Sequence, residues 1–210
     1  MPALLVFLMF TIKIVEELSG FSLSFLGLFP RSWHGLAGII FAPLLHSDFA
    51  HLISNAIPLM VLGASLLYFY ESIAYKIFIL LYLITGFWVW CFARDAYHIG
   101  ASGVVYGLAT FIFTSGVIRK NKRLMAVALV VTFLYGSLIW GIFPEFFPER
   151  NISWESHLMG IIAGAVLAFF FRKEGPDSDK YHWEEDDDDE SGDEDDENAY
   201  WKKGSTDQTW

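Results

Sequence analysis

The chain has 210 residues, enough for one compact domain, and 54% of them are apolar and 18% aromatic, which excludes an ordinary soluble globule. Its net charge of −10 is regional: residues 1–172 carry ten Lys/Arg against eight Asp/Glu (+2), and residues 173–210 carry four against sixteen (−12). The expected domains follow from that split, a membrane body over 1–172 and a disordered acidic cytoplasmic tail over 173–210.

A helix needs about 20 apolar residues to cross a bilayer core of roughly 30 Å. Six runs suit that purpose, at 2–18, 49–70, 74–92, 102–118, 124–142 and 154–171. Lys13, Glu16 and Glu17 interrupt the end of the first, where long side chains can snorkel to an interface. No basic region precedes that run and no convincing cleavage site follows it, so it is read as a membrane segment and not a removed signal peptide. Segment 19–48, rich in Phe, Leu and Trp, is expected to lie partly in the outer leaflet, with solvated coil as the alternative. Cys91 falls inside the third run, where a buried inert thiol is the ordinary outcome. Acidic runs at 184–190 and 193–197 fill the tail, and Trp183, Tyr200, Trp201 and Trp210 offer docking points for a tail partner of unknown identity.

Helices satisfy their own backbone in lipid, so the expected fold is an all-α membrane bundle of six transmembrane helices with a disordered acidic tail. Arg119, Lys120, Lys122, Arg123, Lys76, Arg172 and Lys173 fall on one side of such a bundle, and Arg31, Arg94 and Arg150 on the other. The positive-inside rule then puts both termini in the cytoplasm. The second, fourth and sixth helices all begin at the outer surface. That parity gives Ser102, His157, His51 and Asn55 one side and one depth, and intramembrane polar groups are functional hypotheses by default.

Ser102 stands in Gly100-Ala101-Ser102-Gly103, at the start of the fourth run. A helix N-terminus presents free N–H groups and a positive dipole end, where an oxyanion formed at an attacked carbonyl would be stabilised. Val104 occupies the last position of a Gly-x-Ser-x-Gly elbow, which argues against an α/β-hydrolase. A serine nucleophile needs a base, and His157 enters from another helix at the same depth. The alternative for His157 is a polar interfacial residue. Gly103 and Gly107 on one helix, and Gly160 and Gly164 on the other, have the four-residue spacing that lets membrane helices approach closely. His51 and Asn55 share a helix face and suit either an oxyanion wall or a polar stripe that stabilises the bundle. No aspartate falls at the depth of the pair, which favours a dyad over a triad. A metal site from His46, His51 and His157 is a weaker reading, because no His-Glu-x-x-His pattern or intramembrane carboxylate supports it.

At these residues the chain resembles the rhomboid intramembrane serine proteases, in their compact six-helix bacterial form. The resemblance spans roughly 30–170 and rests on His46-x4-His51-x3-Asn55, Gly100-Ala101-Ser102-Gly103, Tyr106, and His157 with Gly160 and Gly164. It implies that Ser102 is the nucleophile and His157 its general base. It implies that His51, Asn55 and the Ser102 N–H form the oxyanion hole, that Tyr106 packs on the His157 ring, and that His46 is structural. One departure is Arg31-Ser32-Trp33-His34, where many members carry Trp-Arg. By the same analogy Phe133, Leu134, Trp140 and the segment Phe143-Pro144-Glu145-Phe146-Phe147-Pro148 form a movable gate and cap.

The expected activity is a serine endopeptidase acting on transmembrane protein substrates in the lipid bilayer, with neither cofactor nor nucleic acid involved. The expected location is a bacterial cytoplasmic membrane, with the site open to the outer side. The rival class is a non-catalytic relative that binds or escorts membrane clients; such relatives typically lack the serine or the histidine. A small transporter would need paired intramembrane charges or an inverted repeat, and neither is present in the sequence.

Overall fold

Apolar runs bounded by Pro, Gly and capping residues become helices in the computed structural model of the chain, which describes residues 1–134 and 153–176. Pro2 opens α1 (Pro2–Ser19), and Gly20, with φ 67°, ends it. A short helix α2 (Gly38–Phe41) lies in the long segment that follows. The Asp48 carboxylate accepts the His51 N–H at 2.8 Å and so caps α3 (Phe49–Phe69). Then come α4 (Ala74–Phe92), α5 (Ser102–Arg119), α6 (Lys122–Leu134) and α7 (Trp154–Phe170). No strand forms among the described residues, only an isolated antiparallel bridge between Leu28 and His98.

Each of the six expected runs carries a helix, and among the described residues α3, α4 and α5 are long and apolar enough to cross a membrane by length and composition. The other three fall short for separate reasons. Helix α1 contains Lys13, Glu16 and Glu17. Helix α6 is described only as far as Leu134, and α7 has 17 residues. Trp140, the segment 143–148 and the acidic blocks of the tail lie outside the described residues.

Helix α5 is the axis of the core, with Tyr106, Leu108, Phe111 and Ile112 buried along it. Its closest partner is α7. A Cβ added at Gly160 would fall on the carbonyl oxygen of Gly103, and one at Gly164 on that of Gly107. The expected glycine spacing is therefore a backbone-to-backbone contact. At the far end of α5 the Arg119 guanidinium donates to the carbonyls of Phe171 (3.0 Å), Pro176 (3.1 Å) and Glu174, fastening the chain that leaves α7.

Segment 19–48 is folded into short helical turns and is not a coil. It lies along the second half of α4. The Trp90 Nε1–H donates to the Ser32 carbonyl (2.9 Å), and the Tyr82 hydroxyl to that of Ile40 (2.5 Å). Arg31 donates to the Ala93 carbonyl at 2.7 Å and pairs with Asp95, so a single arginine clasps the end of α4. Trp33 is exposed, as are Phe21, Phe25 and Phe41. Lys13, only 7% exposed, pairs with Glu17 at 2.9 Å and donates to the Ser47 carbonyl at 3.0 Å. Glu16 accepts the Leu23 N–H at 2.6 Å. The charges that weaken α1 as a span thus bind it to the chain on either side of α2.

Gly160→Ala is expected to push α7 off α5 and cost about 1–3 kcal/mol, the usual range for overpacking. Ile162→Val, at an outward-facing position of the same helix, should cost within about 0.5 kcal/mol. Thermal unfolding of the two purified variants in detergent checks the difference.

Candidate active site

Three hydrogen bonds shape the turn ahead of α5. The Gly100 N–H donates to the Ala42 carbonyl at 2.8 Å, the Ala101 N–H to His46 Nε2 at 3.4 Å, and the His98 N–H to the Leu28 carbonyl at 2.8 Å. The turn needs a left-handed residue at Gly100, whose φ is 109°. A side chain there would also collide with His51, whose Cε1 and Nε2 lie 2.9 Å from the would-be Cβ. Ser102 then starts α5, and its backbone N–H belongs to the first turn, which has no acceptor one turn earlier.

The Ser102 hydroxyl lies 2.9 Å from Nε2 of His157. The His157 side chain comes from the first turn of α7 and is 6% exposed. Tyr106, one turn after Ser102, stacks on the imidazole with ring centroids 4.2 Å apart and planes 13° from parallel. The contact implied for Tyr106 is present, and the glycine contact between α5 and α7 brings the two rings within reach.

The second wall comes from α3. Asn55 is buried and donates one amide hydrogen to the His51 carbonyl at 3.1 Å, which leaves the other for a ligand. The Asn55 Nδ2 lies 3.8 Å from the would-be Gly100 Cβ. His51 Nδ1 lies 3.2 Å from the Ser47 hydroxyl, which itself lies 2.8 Å from Asp48 Oδ2. Ser47 has a single proton to give. When that proton goes to His51 Nδ1, the neutral ring carries its own proton on Nε2, the edge over Gly100. When it goes to Asp48, Nδ1 carries the ring proton and Nε2 is a bare acceptor. Ser47 and Asp48 thereby set what His51 can offer, and neither stands out in the sequence beyond a helix-capping pattern.

His46 is buried and packs edge-to-face on His51 at 5.0 Å. Burial, reinforced by the neighbouring His51, lowers its pKa to about 3. A neutral imidazole is what accepting the Ala101 N–H requires. All ten residues expected at the site (Ser102, His157, His51, Asn55, Tyr106, Gly100, Gly103, Gly160, Gly164 and His46) therefore fall on or against one turn and the helices beside it.

His98 does not face Ser102. Its Nε2 lies 3.0 Å from the Arg94 carbonyl and its Nδ1 2.5 Å from the Ser153 hydroxyl. Burial lowers its pKa as well. Between α4 and Gly103 a half-open space of about 30 Å³, bordered by Tyr82, Thr85, Gly103 and Ser156, is large enough to hold water. The Thr85 hydroxyl is buried, with no hydrogen-bond partner among the described residues.

Three apolar helices of membrane-crossing length, with a serine on one of them joined to a histidine on the shorter apolar helix α7, mark an integral membrane protein with a polar site in its interior. The chain belongs to the rhomboid family: the Rhomboid domain matches residues 32–174. It is 34% identical to an uncharacterized protein of Mycobacterium tuberculosis, over 77% of this chain and 70% of that one. An uncharacterized protein of Mycobacterium leprae is 29% identical over 77% of the chain and 66% of its own length. A protein of Acanthamoeba polyphaga mimivirus, provisionally named a rhomboid protein, is 35% identical over 79 residues, 38% of this chain and 39% of its own.

Two buried histidines with lowered pKa values make the fold acid-sensitive. Below pH about 6.5 the unfolded chain takes up protons at His46 and His98 that the folded chain refuses, so stability is full above that pH and falls as pH drops toward the folded values. Each histidine contributes up to about 1.4 kcal/mol per pH unit within its window. The unfolding midpoint should drop between pH 6.5 and pH 5, and His46→Gln should flatten that slope. Equal slopes in the two proteins would contradict the assignment of His46.

Proposed function

We propose that the chain is an intramembrane serine endopeptidase in which Ser102 attacks the scissile carbonyl and His157 accepts its proton. The observation that carries this reading is the 2.9 Å hydrogen bond between Ser102 and His157, made across two helices and backed by the stacked ring of Tyr106. The Ser102 Oγ–H donates to Nε2 of a neutral imidazole. As Oγ bonds to the carbonyl carbon, Nε2 takes the proton and the carbonyl oxygen becomes an oxyanion. In this reading the Ser102 N–H, the free Asn55 amide hydrogen and His51, when its Nε2 carries a proton, receive that charge, which the nearness of His51 and Asn55 to Gly100 supports. The imidazolium, held against the π-face of Tyr106, then protonates the leaving amine. A water deprotonated by the same Nε2 hydrolyses the ester and frees Ser102. No cofactor enters the scheme.

Membership in the rhomboid family points to transmembrane protein substrates within the bilayer. The finer topology belongs to the same proposal: six spans over 1–172, both termini and the acidic tail 173–210 in the cytoplasm, and a site open to the outer side. Arg119, Lys120, Lys122 and Arg123 between α5 and α6 support that orientation. The mycobacterial relatives support a bacterial cytoplasmic membrane.

A fluorophosphonate should label the purified protein at Ser102, and Ser102→Ala should abolish the labelling. Ser102→Ala and His157→Ala should each reduce cleavage of a single-span membrane substrate by about 10⁴-fold, since a nucleophile and its base act as a unit. Labelling that survives Ser102→Ala would end the nucleophile assignment. Cleavage retained in His157→Ala would end that of the base.

A further inference from the structure

Two polar ties that take no part in the chemistry run from the first turn of α7 to the segment that carries the nucleophile. Glu155, the buried acid of that turn, is 4% exposed, and its Oε1 lies 3.3 Å from an Arg94 guanidinium nitrogen. Among the described residues neither Glu155 oxygen has a hydrogen-bond partner, so this ion pair is what compensates a buried carboxylate. The second tie is a chain of three side chains. The Arg94 carbonyl can only accept, so His98 donates from Nε2 and accepts at Nδ1. The Ser153 hydroxyl must then donate to Nδ1, at 2.5 Å, and the Ser156 hydroxyl to Ser153, at 2.5 Å. Every proton in the chain has one direction.

Both ties end on residues 94–98, and four residues beyond His98 stands Ser102. Residues two apart on a helix point to nearly opposite sides, so Glu155 faces the α4–α5 segment while His157 faces α5. The rotation of α7 about its own axis is therefore fixed from two directions. Turning the helix enough to break the Glu155 pair would carry the imidazole off the serine.

We infer that Glu155 and His98 are positioning residues of the site, tying the turn that bears His157 to the segment that bears Ser102. This rests on the reading of Ser102 and His157 as a catalytic pair. Neither residue touches the reacting atoms. Their loss loosens the Ser102–His157 geometry, and a displacement of about 1 Å in such a pair can cost on the order of 100-fold in rate.

The test uses the full chain in detergent and in vesicles, with two rates measured: cleavage of a single-span substrate and fluorophosphonate labelling of Ser102. Glu155→Gln and His98→Leu are each expected to lower kcat and the labelling rate about tenfold while KM stays within about twofold, because the ties make no contact with substrate. His98→Asn, whose side-chain amide can take the place of Nδ1 toward Ser153, should regain most of the rate. Arg94→Gln combined with Glu155→Gln removes both charges of the pair and should fold even if a single variant does not, with the same tenfold loss. Labelling and cleavage at the wild-type rate in Glu155→Gln and His98→Leu would overturn the inference. So would a His98→Asn protein as slow as His98→Leu, or a loss of rate that only follows the unfolding midpoint. Those outcomes leave Ser102 labelled in the wild-type chain, whereas failure of the hydrolase reading itself shows as labelling that persists in Ser102→Ala.

Discussion

Where α7 passes α5 the two backbones touch, Gly160 against the Gly103 carbonyl and Gly164 against that of Gly107. The four glycines carry a cost, since each is about 1 kcal/mol poorer than alanine as a helix former in water. Close packing in lipid offsets it, because dispersion between helices replaces the hydrophobic drive that lipid does not supply. A side chain at Gly160 or Gly164 would collide with the carbonyl of Gly103 or Gly107 and hold α7 further from α5. Removing the side chains at the crossing lets Ser102, the shorter of the two partners, reach His157 at 2.9 Å while Tyr106 covers the ring.

Around that contact the polar groups are arranged so that few of them carry an uncompensated charge. His46 and His98 are held neutral by burial, and each accepts a hydrogen bond that a protonated ring could not accept. Buried Glu155 faces Arg94, and buried Lys13 faces Glu17 and a carbonyl. An isolated ion in an apolar surrounding would cost several kcal/mol, so these pairings are conditions for the fold as much as contributions to it.

The centre of the site was legible in the sequence for a simple reason. Ser102, His157, His51, Asn55 and the two glycine pairs are set by helix periodicity and by their places near the starts of α3, α5 and α7, and both follow from local pattern. What joins α7 to the α4–α5 segment was not legible. Ser153 and Glu155 have the composition of any helix start, a capping hydroxyl followed by an acid in the first turn. The structure turns both away from those duties: Ser153 makes no side-chain cap, and Glu155 pairs across 61 positions of sequence with Arg94. Such partners are chosen by tertiary approach, which no spacing rule encodes. The same holds for Arg31. A departure from the Trp-Arg pattern left the fold of 19–48 open, and the arginine proves to clasp the end of α4 while Trp33 stands exposed. Of the six apolar runs, α3, α4 and α5 meet the length and composition for crossing a bilayer among the described residues, while α1 carries three charges and α7 has 17 residues.

Lys13 lies outside residues 32–174, the part of the chain that the Rhomboid domain matches, yet its ammonium holds the carbonyl of Ser47. Ser47 in turn touches His51 and Asp48, and His46 precedes it. The set of contacts that supports the site is thus wider than the matched domain. A chain trimmed to the matched region would keep all ten site residues and lose the prop beneath one wall. The boundary of the domain match and the boundary of the supporting contacts do not coincide in this molecule, for the first helix lies outside the one and inside the other.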